Sequence, residues 1–304
     1  MASSILLQRA WTLLALIVGL VFAPAAGAIA ADATLTLNVG GVERTAYLHA
    51  PDRIDPARRY PLVIGFHGGA GNAEGYIENS QLFAKGEAAG FIVVCPQGTP
   101  IPIAGDHRVW NSGPEYERSS HGTDDVAFTR LIIDQVSRMY AIDPKRVFVT
   151  GFSNGGQMAY RLALELPDRI AAIAPMSGGR LAGDERPARP VPVMHFHGAA
   201  DTVYPLGGGL GPNSIGRTPH ASIDEVIDEW RQFDGADPTS TIEPHDGWEV
   251  HRHAGAAPVL LVLVLGMGHQ IAGGRDDRLP GQAMRDQPDA IAMALQFFNG
   301  HPMP

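Results

Sequence analysis

The sequence predicts an α/β fold, a mostly parallel central sheet with helices on both faces, from three observations. From Asp32 onward, apolar strand-like runs alternate with amphipathic helix-like stretches. Two of the runs, Leu62–Phe66 and Phe91–Cys95, are continuously apolar, as strands covered on both faces must be. A third, Arg146–Thr150, passes through Gly151-Phe152-Ser153-Asn154-Gly155 directly into a helix-like stretch, Gly156–Leu166.

The remaining elements follow in order. Thr34–Val39 and Arg44–His49 alternate with period two around Gly40-Gly41, which predicts an antiparallel hairpin at the sheet edge. Asp125–Tyr140 places Val126, Phe128, Leu131, Ile132, Val136 and Met139 at helical spacing, with Thr123 as the expected N-cap. Past the Ser153 turn and its helix come a strand at Ile170–Ala174 and another at Val191–Phe196. A helix at about Ser222–Phe233, a strand at Val259–Leu265 and a last helix at about Gln287–Phe298 complete the pattern. The Gly/Pro-rich stretch Pro205–Pro219 reads as a long surface loop near the functional site. No repeat or low-complexity linker interrupts residues 31–304, which predicts one catalytic domain.

Residues 1–30 have the three-part layout of a secretory signal peptide. Arg9 precedes the apolar run Ala10–Phe22, and Pro24 and a small-residue string through Ala31 follow it. Secretion, to the extracellular space or a periplasm, is therefore expected; an uncleaved anchor is the alternative. The chain carries a net charge of −9 and has no basic cluster, which argues against nucleic acid and anionic membranes as partners. One cysteine, Cys95, excludes intrachain disulfides and cysteine-rich metal sites, so the core alone must stabilise the fold.

A strand that turns sharply into a helix with Ser at the apex is the nucleophile elbow of an α/β-hydrolase. A Ser hydroxyl needs a general base, and the base an orienting carboxylate; in this fold the chain order is Ser, acid, His. Asp201 lies in the loop His197-Gly-Ala-Ala-Asp after one strand, and His269 in Gly266-Met-Gly-His after the last. His195 and His197 would reverse that order, and Asp184 and Glu185 sit among Arg180, Arg186 and Arg189 and read as solvated. Oxyanion donors are expected from the backbone of Asn154 and from Gly69, with Ala70 next, in His67-Gly-Gly-Ala-Gly. His67 itself reads as a structural hydrogen-bonding residue that holds this loop.

Several blocks carry a family resemblance. They are Pro61-Leu-Val-Ile-Gly-Phe-His-Gly-Gly, Val94-Cys-Pro-Gln-Gly-Thr, Val109-Trp-Asn, Asp124-Asp-Val-Ala-Phe, Gly151-Phe-Ser-Asn-Gly-Gly-Gln-Met-Ala-Tyr and His197-Gly-Ala-Ala-Asp. In this order they resemble the polyhydroxybutyrate depolymerase and feruloyl/acetylxylan esterase group, of carbohydrate esterase family one type. The resemblance implies a secreted serine esterase without metal or cofactor, acting on polysaccharide- or polyester-linked acyl esters. It assigns Ser153, Asp201 and His269 as nucleophile, carboxylate and base, and places Trp110 and Asn111 near the acyl site. Tyr204 is a further candidate for the site wall. Two departures stand out: no Cys pair follows Trp110-Asn111, and Ile271 stands where relatives often have Trp after the catalytic His. The same triad also serves peptidases and acyltransferases, and an α/β-hydrolase can serve as a non-catalytic binding module.

Overall fold

The computed structural model describes residues 32–101, 105–180, 185–214, 217–275 and 287–304. The expected leader at residues 1–30, and Asp184, lie outside the described residues.

The elements are, in chain order, β1 (Asp32–Val39), β2 (Val42–His49), β3 (Tyr60–Phe66), α1 (Ala73–Ser80), α2 (Leu82–Ala88), β4 (Ile92–Pro96), β5 (Thr99–Pro100), β6 (Arg108–Val109) and α3 (Pro114–Glu117). Then come α4 (Asp125–Met139), β7 (Ile142–Phe152), α5 (Asn154–Glu165), β8 (Ala172–Met176), β9 (Val193–Gly198) and α6 (Ile223–Asp234). The chain continues with β10 (Thr241–His245), β11 (Trp248–His253), β12 (Val259–Val264) and α7 (Ala290–Gly300).

Ten strands form one sheet in the order β1-β2-β4-β3-β7-β8-β9-β12-β11-β10. The six from β4 to β12 run parallel, and antiparallel pairs close each side. Continuous apolar sequence is the reason the centre can be parallel, because both faces must be covered. Leu62, Ile64 and Phe66 point into a core with α4, α5 and α6, whereas Val63 joins a second core with α1, α2 and α7. Cys95 is fully buried in the second core, where burial pushes its thiol far above the ordinary range.

One local expectation is corrected, and two regions carried no readable signal. Asp124, not Thr123, caps α4: its carboxylate accepts the Ala127 amide at 2.8 Å, one residue nearer the helix. Thr123 instead pairs its hydroxyl with that of Thr99 at 3.0 Å. The polar stretch before the last strand forms the hairpin β10–β11, whose first strand is exposed throughout and therefore carries no apolar alternation. The short helices α1 and α2, which separate β3 from β4, also went unread, since neither is long enough to display a period.

Parallel strands send their C-terminal ends to one edge of the sheet. The loops after β3, β7, β9 and β12 therefore share that edge, and they contain Gly69, Ser153, Asp201 and His269.

Candidate active site

Ser153 is the single residue between β7 and α5, and its backbone sits at φ 55° and ψ −118°. A non-glycine residue at positive φ costs on the order of 1–3 kcal/mol and persists only where its surroundings enforce it. Two glycines do so here by close approach. A Cβ on Gly155 would lie 2.2 Å from the Phe66 carbonyl oxygen, and one on Gly151 would lie 2.4 Å from the Gly155 carbonyl oxygen. Neither position accepts a side chain, so α5 packs directly on the end of β3. The Ser153 amide is tied to the neighbouring strand through Met176 O at 2.8 Å.

The Ser153 hydroxyl lies 2.9 Å from His269 Nε2, and His269 Nδ1 lies 2.7 Å from Asp201 Oδ2. The second carboxylate oxygen accepts the amides of Val203 at 2.8 Å and Tyr204 at 2.7 Å. Burial opposes the charge on Asp201, but His269, His197 and the Tyr204 amide outweigh it and hold the carboxyl below its usual range. An ionised carboxylate on Nδ1 fixes the imidazole tautomer, leaving Nε2 to accept the hydroxyl proton. The Phe152 ring packs against the His269 ring, with centroids 4.8 Å apart.

Asn154 opens α5, so its amide is one of the helix's unsatisfied N-terminal donors. Its side chain accepts the Trp110 amide at 2.8 Å and donates to Trp110 O at 3.2 Å and to the Ser112 hydroxyl at 2.8 Å. Gly69 lies beside it, close enough that an added Cβ would touch the Asn154 Cβ at 3.5 Å. The two residues expected to supply oxyanion donors are thus neighbours. His67 anchors their loop, donating from Nδ1 to Gly68 O at 2.8 Å and accepting the Gly98 amide on Nε2 at 3.0 Å. Both bonds suit the neutral ring, and burial lowers its pKa to about 4.

A cavity of about 830 Å³ opens over these groups. Tyr204 lines it, stacked on His220 with ring centroids 4.0 Å apart. Ile271 lines it too, at the position where an aromatic residue was missed in the sequence. Trp110 and Asn111 are not in its wall, which corrects the expectation that they flank the acyl group. Trp110 is fully buried beneath the Gly-rich loop, with Nε1 donating to His67 O at 2.9 Å. Asn111 donates its amide to Asp125 Oδ2 at 2.7 Å, and its carbonyl accepts Arg161. Asp125 is in turn paired with Arg44 at 2.8 Å. This ion pair and the two hydrogen bonds to Asn111 hold the loop that lacks a cysteine pair. Arg118 is the one permanently charged side chain among the described residues of the wall.

His195 and His197, set aside as rival bases, lie directly behind Asp201. Both are fully buried, on one face of β9, and His197 Nε2 is 3.8 Å from Asp201 Oδ2. Period-two spacing of two histidines in an apolar strand was the available signal.

The family model described as Esterase PHB depolymerase matches residues 46–208. The chain is 31% identical over 277 residues to the NocK protein of Nocardia uniformis subsp. tsuyamanensis, covering 83% of this chain and 78% of that protein. It is 30% identical over 228 residues to feruloyl esterase B of Piromyces equi, covering 71% of this chain but 40% of that enzyme. Among solved structures, the acetyl xylan esterase of Aspergillus awamori superposes with a TM-score of 0.59 at 18% identity, covering 79% of this chain and 94% of that one. At that identity the likeness shows the shared α/β-hydrolase fold.

Proposed function

The chain belongs to the PHB depolymerase esterase family, and on that premise we propose that it is a serine carboxylic-ester hydrolase working through an acyl-enzyme. One observation carries the reading: the unbroken line from the Ser153 hydroxyl through His269 to a doubly amide-held Asp201, at 2.9 and 2.7 Å. In this reading Ser153 Oγ attacks the ester carbonyl carbon as His269 Nε2 takes its proton. The carbonyl oxygen, now an oxyanion, is held by the amides of Asn154 and Gly69, and the N-terminus of α5 favours its charge. His269 passes the proton to the departing alkoxide, which leaves as the alcohol. Water then enters, gives a proton to His269 and attacks the acyl-enzyme; the carboxylic acid leaves, and the proton returns to Ser153 Oγ. Asp201 stays ionised throughout, stabilising the imidazolium and fixing its orientation.

The substrate class proposed is an acyl ester linked to a polysaccharide or polyester, of feruloyl, acetyl or hydroxyalkanoate type. A cavity of about 830 Å³ admits an aromatic acyl group or several units of a polyester. Residues 1–30 are proposed as a cleaved leader, residues 31–304 as one catalytic domain, and the enzyme as secreted.

The test is a hydrolysis screen of the purified mature chain on feruloyl, acetyl-xylan, short-chain aryl and hydroxyalkanoate esters, with Ser153→Ala as the blank. Turnover that vanishes in the blank is expected. Equal rates in the two proteins would remove the assignment.

A further inference from the structure

Behind the carboxylate of Asp201 runs a line of buried groups that the proposed mechanism does not use. Tyr160 Oη on α5 is 2.9 Å from His195 Nδ1, His195 Nε2 is 3.2 Å from His197 Nδ1, and His197 Nε2 is 2.9 Å from Tyr204 O. All four ring nitrogens therefore have partners. One atom fixes every proton in the line: a carbonyl oxygen only accepts, so His197 Nε2 carries a hydrogen. In a neutral ring Nδ1 then accepts, which requires His195 Nε2 to donate. His195 Nδ1 in turn accepts from the Tyr160 hydroxyl.

The end of this line matters because Tyr204 has two jobs. Its amide, with that of Val203, holds Asp201 Oδ1, while its carbonyl is held by His197. The loop that aims the carboxylate is thus clamped at the residue nearest it. The same His197 N–H faces Asp201 Oδ2 at 3.8 Å and favours the charged form. We infer that His197, held in one tautomer by His195 and Tyr160, is a positioning residue for Asp201, clamping the Tyr204 carbonyl so that the carboxylate keeps its aim at His269.

The groups that face the two imidazoles agree with neutral rings. Tyr160 stands on one side with Trp230 of α6 behind it, and Tyr204, with His220 stacked on it, stands on the other. Asp201 is the one carboxylate acting on His197, and burial outweighs it, keeping His197 below the ordinary imidazole range. His195 lies further below, through burial and the neighbouring ring. Two neutral rings pass on direction without adding charge, so the line orients Asp201 and moves no proton in the reaction.

The inference rests on the esterase reading, and its test separates the two. Wild type, Tyr160→Phe, His197→Gln and His197→Phe are compared with p-nitrophenyl acetate from pH 5 to 9, with active sites counted by stoichiometric phosphonylation. His197→Phe is expected to lower kcat per counted site about 100-fold, with KM changed less than about threefold, since misaiming affects the chemical step. A less stabilised imidazolium loses its proton more readily, so the acid limb of the kcat/KM profile moves to lower pH. His197→Gln puts an amide N–H near the place of Nε2 and should recover all but about tenfold of the activity. Tyr160→Phe, which removes one oxygen, gives the smallest effect of the same kind. Variants that melt earlier but keep kcat per counted site and the acid limb would overturn the inference. If His197→Phe fails to fold, Tyr160→Phe and His197→Gln decide by those two readings. If wild type hydrolyses no ester, the esterase reading fails and the clamp is read without turnover. The far-downfield Nδ1 proton of His269 at low pH then weakens or moves in the variants if the clamp holds, and is unchanged if it does not.

Discussion

The two walls of the cavity differ in what holds them. On the inner wall each group is fixed by the backbone of a neighbouring strand or by a buried side chain: Ser153 by Met176, Asn154 by Trp110, and the Gly69 loop by His67. On the outer wall the observed bonds run within and between loops, as from Ser119 to Tyr116 O at 3.1 Å and from Asn213 to Thr202 O at 3.0 Å. The inner wall cannot change without moving the sheet; the outer wall can. Reaction chemistry and substrate choice are thereby carried by regions of very different tolerance.

The sharpest way to break the comparison is at the inner wall. Ser153→Ala should lower kcat about 10⁶-fold, and a loss of only tenfold in a hydrolysis assay would contradict it. Asp201→Asn keeps the shape but leaves the wrong tautomer on His269, with an expected loss of about 10⁴-fold. Gly155→Ala puts a Cβ 2.2 Å from the Phe66 carbonyl oxygen, so the backbone must move. Urea denaturation should then show a loss of about 3 kcal/mol, and kcat should drop about 100-fold as Asn154 shifts.

Acid should also test the inner wall, through His67. Burial lowers the His67 pKa in the folded protein to about 4 from its ordinary 6.5, so the unfolded chain binds the extra proton. Its contribution, on the order of 3 kcal/mol, is full above pH 6.5 and fades as pH falls through 4. His67→Asn should therefore show a shallower loss of stability on that side. Asp234, at the end of α6, has the opposite sign, because burial raises its carboxyl to about 8. It favours folding most below pH 3.8 and loses that as pH rises through 8. Asp234→Asn should accordingly raise Tm at pH 8 and leave it nearly unchanged at pH 4. The smallest effect belongs to the outer wall. Arg118→Gln should leave stability within about 0.5 kcal/mol and alter KM for different esters by about threefold, measured on matched charged and neutral acyl chains.

The same contrast explains what the sequence disclosed. The parallel strands were legible because burial on both faces writes an unbroken apolar run, and Ser153, Asp201 and His269 because each loop's place follows from strand order. The exposed β10 carries no such signal, and α1 and α2 are too short to show one. Trp110 was misplaced because its block is recognisable in sequence while its direction is not: it faces the core under the Gly-rich loop. His195 and His197 were visible as a pair, but only the observed bonds to Tyr160 and Tyr204 reveal what they brace.

The sealed sulfhydryl of Cys95 has a practical consequence. With no other sulfur able to cross-link, maturation requires no oxidising compartment, and the polypeptide should reach the same state in a reducing cytosol as outside the cell. Thiol-directed alkylating reagents would find no accessible thiolate, because the sheet's interior covers the one sulfhydryl.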